Sequence, residues 1–117
     1  MRKLAEDRVQ ATKAKVQRLL DAKVIREVQF TTWLANIVMV RKKNEKWRMR
    51  IDFTDLNKAC PKDNFPLPRI DMLVDQAAGS EMLSFLDCFF GYHQIWIRKE
   101  DEEFPSFITP FGTYCFV

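Results

Sequence analysis

In SFLDCFFGYHQIWI (residues 84–97), one side chain is suited to ionic chemistry: Asp87. The run from Phe85 to Phe90 is otherwise apolar, apart from the weakly polar Cys88, and reads as a buried β-strand. An ionised carboxylate there costs on the order of several kcal/mol unless something pairs with it. A Lys, an Arg or a backbone donor can satisfy it, or it can hold a cation. The turn that follows contains Gly91, whose missing side chain allows close approach of a ligand. Backbone N–H groups in such a turn can bind phosphate oxygens while a neighbouring carboxylate holds the accompanying Mg²⁺. Taken alone, a single Asp in a strand is more often structural than catalytic.

A second constellation is the basic run RKKNEKWRMR (41–50), where Arg41, Lys42, Lys43, Lys46, Arg48 and Arg50 face one acid, Glu45. Cationic strands are commonly just solvated faces. With Trp47 interleaved, this one could also grip phosphates, Arg bidentately and Lys as a point charge. The acidic KEDEE run (99–103) reads as a solvated turn, not as a metal site. His93, the only histidine, has no Cys or Asp nucleophile at motif spacing and reads as packed or hydrogen-bonded.

These groups need elements to carry them. Val9, Val16, Leu19 and Leu20 form one helical stripe between Glu6 and Ala22. Val24–Phe30 reads as extended, and a strand runs through Ile37–Val40 into the basic cluster. After a turn at Asn44-Glu45, KWRMRIDF alternates: Trp47, Met49, Ile51 and Phe53 point one way, Arg48, Arg50 and Asp52 the other. The result is a hairpin with one packed face and one cationic face. Pro61, Pro66 and Pro68 make a rigid connector. Ile70, Leu73, Val74 and Ala77 then predict a short helix ended by Gly79, and SFITPFGTYCFV predicts a closing hairpin. The order is α+β.

Composition is globular: 47% hydrophobic, 13% aromatic and 10 Phe in 117 residues, enough for one domain. The net charge of +3 favours no partner by itself. Cys60, Cys88 and Cys115 form neither a disulfide framework nor a zinc pattern, which suits a reducing, intracellular setting. Met1 leads into a charged segment with no apolar h-region, and no apolar stretch reaches membrane-spanning length, so neither secretion nor membrane association is expected.

Taken together, KWRMRIDFTDLNKACPKDNFPLPRID, SFLDCFFGYHQIWI and SFITPFGTYCFV resemble, in order and spacing, the fingers and palm of gypsy-class LTR-retrotransposon reverse transcriptases. The resemblance covers essentially the whole chain. It implies a right-hand polymerase fold, with about 1–60 fingers-like and about 61–117 the start of the palm. Asp87 would be the first metal-binding aspartate, with the Cys88 backbone carbonyl on the same cation, Mg²⁺ or Mn²⁺. Phe90 and Gly91 would present N–H groups to the triphosphate, and Tyr92 would be the gate that disfavours a 2′-hydroxyl. Lys42 and Arg48 would close on the triphosphate, and Arg41, Lys43, Lys46 and Arg50 would contact nucleic acid.

The same resemblance implies template–primer and deoxynucleoside triphosphates as substrates. It also places the other catalytic aspartates in a Tyr-x-Asp-Asp hairpin further on, and no Asp-Asp pair occurs after Asp87. The expectation is therefore a fold truncated before the second carboxylate motif and inactive alone. Glu45 stands where relatives usually have Gly in an Asn-Gly turn, at a cost of roughly 1 kcal/mol if that turn keeps φ > 0. The rival readings are a nucleic-acid-binding module without chemistry and a remnant that self-associates through an incomplete palm sheet edge.

Overall fold

The computed structural model describes residues 5–88 and 90–117. Helix α1 (Glu6–Asp21) opens on Glu6 and Asp7, which suit the positive end of the helix dipole. It ends in a Schellman motif: the Lys23 N–H donates to the Leu20 carbonyl at 2.9 Å and the Val24 N–H to the Leu19 carbonyl at 3.0 Å. Lys23 takes the left-handed conformation (φ 56°) that glycine usually supplies at this position. The chain then enters β1 (Ile25–Glu27), β2 (Ala35–Arg41) and β3 (Trp47–Asp52).

The hairpin between β2 and β3 keeps the expected alternation, with Trp47, Met49 and Ile51 half-buried and Arg48, Arg50 and Asp52 exposed. Its turn differs in length from the two-residue form. The Glu45 N–H donates to the Lys42 carbonyl and the Lys42 N–H to the Lys46 carbonyl, both at 2.9 Å. Three residues, Lys43 to Glu45, thus form the loop, and Glu45 carries the positive φ (61°) of the bulge position.

Beyond β3, the Asp52 carboxylate accepts from the Thr54 N–H at 3.2 Å and starts a short helix α2 (Thr54–Ala59) that the sequence pattern did not announce. The Pro-rich connector leads to α3 (Ile70–Ala77), after which Gly79 turns the chain at φ 88°. A 3₁₀ turn (Gly91–Gln94) and the hairpin β4 (Ser106–Thr109)–β5 (Gly112–Phe116) complete the order.

All five strands join one sheet in the order β1-β5-β4-β2-β3, with β2 and β4 parallel and every other pair antiparallel. The sheet thus draws strands from both sides of the Pro-rich connector. The parallel pair follows from the long crossover between β3 and β4. Val16 of α1 packs over Ile25, Ile37, Phe107 and Tyr114, with Leu19, Leu20, Met49, Ile51 and Phe116 around them. Phe107 is fully buried at the centre.

The buried strand expected from Phe85 to Phe90 is not formed among its described residues. Residues 82–88 are irregular, Phe85 is 90% and Leu86 96% exposed, and Phe89 lies outside the described residues. A strand needs a hydrogen-bonded neighbour. β5, β4 and β2 are flanked on both sides, and neither edge strand, β1 or β3, pairs with this run. Asp87 is accordingly exposed, so the desolvation cost that made it conspicuous does not arise here. None of the described helices is long and apolar enough to cross a membrane.

Candidate functional site

A cleft of about 600 Å³ opens between the C-terminal half of α1, the turn end and β3 of the β2–β3 hairpin, and the turn after Asp87. The hairpin positions Lys42, Lys46 and Arg48 on its rim, and the turn contributes Phe90 and His93. Leu19, Val24, Met49 and Phe116 line its apolar part. His93 stacks on Phe116 with ring centroids 5.5 Å apart, and Phe90 tilts against His93 at 5.7 Å. Phe90 and the 90–93 turn are thereby held against the sheet through ring contacts.

Backbone geometry gives that turn its chemistry. Phe90 is left-handed (φ 53°, ψ 38°), and the 3₁₀ turn follows directly. A left-handed residue followed by a right-handed one makes a concavity of N–H groups suited to anions. Holding a bulky aromatic in that region costs about 1–2 kcal/mol. The Gly91 N–H donates to the Cys88 carbonyl at 3.3 Å, a long contact.

The residues singled out in sequence divide into four groups. Lys42, Lys46, Arg48 and Phe90 meet in the cleft. Gly91 and Tyr92 adjoin it without lining it. Tyr92 is 92% exposed and borders a second, apolar hollow of about 250 Å³ with Phe53, Ile95 and Phe116. His93 and Phe116 form the wall between the two. Asp87 and Cys88 lie outside both, and Asp87 makes no ion pair among the described residues. Arg41 pairs with Glu45 at 3.5 Å and lies over the Trp47 ring at 6.0 Å, and Lys43 and Arg50 are exposed on the hairpin and do not line the cleft.

Two features escaped the sequence reading. Lys15 and Arg18 of α1 join the cleft rim. The only signal was their helical register with Leu19 and Ala22, at i, i+3, i+4 and i+7. The acidic run is also less solvated than expected. Glu102 is largely covered and accepts from Arg26 Nε at 2.9 Å, while Arg98 holds Glu100 and Asp101. The Arg26–Glu102 pair lies beside Cys115, whose thiol pKa is pushed up by burial despite the Arg26 charge. Burial and the Glu27 charge likewise raise the Tyr114 phenol.

Among the described residues, no three His, Cys, Asp or Glu side chains come close enough to share a metal. Mg²⁺ commonly takes one or two carboxylates and completes its shell with phosphate oxygens and water. Asp87, exposed and carrying hard oxygen donors, fits one position in such a shell.

The mixed α+β fold, with α1 packed on one five-stranded sheet, is that of the fingers–palm portion of a right-hand polymerase. The sequence profile of the family "Reverse transcriptase (RNA-dependent DNA polymerase)" matches residues 40–115. The retrovirus-related Pol polyprotein from transposon 412 of Drosophila melanogaster is 35% identical over 114 residues, covering 92% of this chain and 9% of the relative. The transposon Tf2-3 polyprotein of Schizosaccharomyces pombe is 32% identical over 111 residues, covering 95% and 8%. In fold, the chain is similar to the prototype foamy virus protease–reverse transcriptase, with TM-score 0.84, 18% identity, and coverage of 97% of this chain and 15% of that one. The chain belongs to the reverse transcriptase family, on its gypsy-class LTR-retrotransposon branch. It spans less than a tenth of the length of these curated polyproteins.

Proposed function

We propose that this chain is the fingers, about residues 1–60, and the start of the palm, from about 61, of a retrotransposon polymerase. That polymerase copies an RNA template into DNA from a primer, using deoxynucleoside triphosphates. The observation that carries the reading is the cleft in which Lys42, Lys46 and Arg48 meet the Phe90 turn. Cations on a hairpin facing an N–H concavity suit the phosphates of an incoming nucleotide. Asp87 and the Cys88 carbonyl would hold Mg²⁺ or Mn²⁺ beside them, and Tyr92 would lie under the sugar. The bound ion would supply stabilisation of the attacking and leaving oxygens of an in-line displacement. Arg41, Lys43 and Arg50, on the outside of the hairpin, suit the template–primer backbone. The three unpaired cysteines suit an intracellular, reducing location.

One carboxylate at the site is fewer than two-metal chemistry needs. The chain of 117 residues should therefore give no primer extension on a primed RNA with Mg²⁺ or Mn²⁺. It should bind template–primer with affinity that falls steeply with salt, by a log–log slope of about 0.9 per phosphate contact on duplex DNA. Replacing Lys42 and Arg48 together with Ala should make that slope shallower. Incorporation above a no-protein control, or an unchanged slope in the double variant, would sink the reading.

A further inference from the structure

The cleft is more basic than the hairpin alone makes it. Lys15 and Arg18 of α1 stand on its rim with Lys42, Lys46 and Arg48, and no Asp or Glu lines it. None of these five makes an ion pair with a carboxylate among the described residues. Arg26, Arg41, Lys58, Arg69 and Arg98 each do. Five uncompensated cations around one concavity keep a strong positive potential, and the apolar part of the lining weakens its screening.

We infer that the α1 wall, Lys15 and Arg18, is a second phosphate-binding element of this cleft, taking the outer phosphates of a polyphosphate chain. The inference rests on the nucleotide reading proposed above and extends it to residues on a different element. Charge count selects the ligand class. A single phosphate leaves most of five cations unanswered, whereas a triphosphate or pyrophosphate nearly matches them. Shape selects further: a concave site of about 600 Å³ falls within the usual range for small molecules, whereas a nucleic-acid backbone is tracked along an extended groove. Lys15 is half-buried in the α1–sheet junction and Arg18 is exposed. One is thereby held in place and the other can close over a ligand. Two sources carry this chemistry, the triphosphate of an incoming nucleotide and released pyrophosphate.

The test is calorimetric titration of the 117-residue chain with pyrophosphate, dTTP, dTMP and a short duplex DNA. Three variants accompany the parent: Lys15→Gln/Arg18→Gln, Arg18→Gln alone, and Lys42→Gln/Arg48→Gln. The α1 double variant should bind pyrophosphate and dTTP roughly tenfold more weakly, and Arg18→Gln about threefold, with dTMP unchanged. A loss for dTTP but not pyrophosphate assigns the wall to the nucleotide, and an equal loss assigns it to both sources. Circular dichroism checks folding, and Arg18→Gln, on an exposed position, keeps the test decisive if the double variant unfolds. Parent-like binding of pyrophosphate and dTTP by both α1 variants, with loss in the hairpin variant, overturns the inference and leaves the nucleotide reading standing. Loss in the α1 variants but not the hairpin variant keeps the α1 wall as a polyphosphate element and overturns the role given to Lys42 and Arg48 in the nucleotide reading. Weakened duplex binding with unchanged pyrophosphate binding overturns the inference in favour of backbone contact. No polyphosphate binding by the parent removes both.

Discussion

The Gly91 N–H donates to the Cys88 carbonyl at 3.3 Å, and a Cβ placed on Gly91 would lie 3.1 Å from Cys88 Cβ. The two backbone groups proposed for phosphate and metal are thus turned toward each other, over a distance too long to hold either firmly. If both proposed roles hold, a ligand that draws the N–H to a phosphate would release the carbonyl to a cation. Phosphate binding and metal binding would then be coupled through one turn.

Gly91→Ala tests that coupling. The added methyl forces residues 88 and 91 apart by a few tenths of an ångström, and solvent on the outer side lets the turn give. Thermal stability should stay within about 0.5 kcal/mol of the parent, because Gly91 is only partly covered and the turn can shift outward. Pyrophosphate affinity should fall about threefold as the concavity opens, a change of under 1 kcal/mol. Parent-like affinity would show that the Gly91 N–H takes no part in binding.

Lys23 and Glu45 each carry the left-handed conformation at a turn. Gly at either position should stabilise the fold by about 0.5–1 kcal/mol, strain relief exceeding the extra backbone freedom of unfolded Gly. Glu45→Gly also removes the Arg41 pair, but that pair is exposed and worth little. Phe90→Gly should show no such gain, because the Phe90 ring contact with His93 is lost with the strain. Urea melts of the three variants rank them, and a destabilised Lys23→Gly would mean that the Schellman geometry is wrong.

Cys115 is fully buried between Ser106 and Arg26 on neighbouring strands, while Cys60 and Cys88 are exposed. Iodoacetamide should label Cys60 and Cys88 in the native chain and reach Cys115 only with denaturant. Folding raises the pKa of Cys115 and of Tyr114, each chiefly through burial. Their stabilising contribution is complete below the unfolded thiol value and is lost as pH rises through the folded values, because the unfolded chain gives up those protons first. Melting temperature should therefore fall from about pH 8.5 upward, near the free thiol pKa. Cys115→Ala should flatten the first part of that fall, and a melting profile unchanged to pH 10.5 would contradict the burial of both groups.

Much of this was readable from periodicity. The α1 stripe, the alternation from Trp47 to Phe53, the Ile70–Ala77 helix and the closing hairpin each repeat a local pattern that the backbone obeys. The positive φ at Glu45 was readable too, because the glycine-like position was identified before the loop length was. What failed was non-local. Residues 84–88 have strand composition, but composition does not supply a neighbouring strand. The Arg26–Glu102 pair joins residues 76 apart and has no sequence signature. Lys15 and Arg18 carry no signal beyond their helical register with Leu19 and Ala22, because the hairpin that completes the cleft is distant in sequence. The parallel β2–β4 pairing is equally silent, because it depends on where a long crossover returns.

Asp87 stands on that same boundary between pattern and partner. It is exposed, unpaired among the described residues and just ahead of the turn that reaches the cleft, so its charge does nothing for the fold. Asp87→Asn should change the unfolding free energy by less than about 0.5 kcal/mol, as expected for a surface site without a partner. Its effect should appear only with a metal present. If the carboxylate shares Mg²⁺ with phosphate oxygens, Mg²⁺ should tighten dTTP binding to the parent severalfold, and the Asn variant should lose that gain while binding metal-free dTTP equally well or better. The better binding follows because one negative charge near the phosphates has been removed. Mn²⁺ should behave as Mg²⁺ does, since both accept hard oxygen donors. Paired titrations with and without metal on parent and variant separate the roles. The same Mg²⁺ gain in both proteins would take Asp87 out of the metal site, and a loss of stability beyond 1 kcal/mol in the variant would make it a structural residue instead.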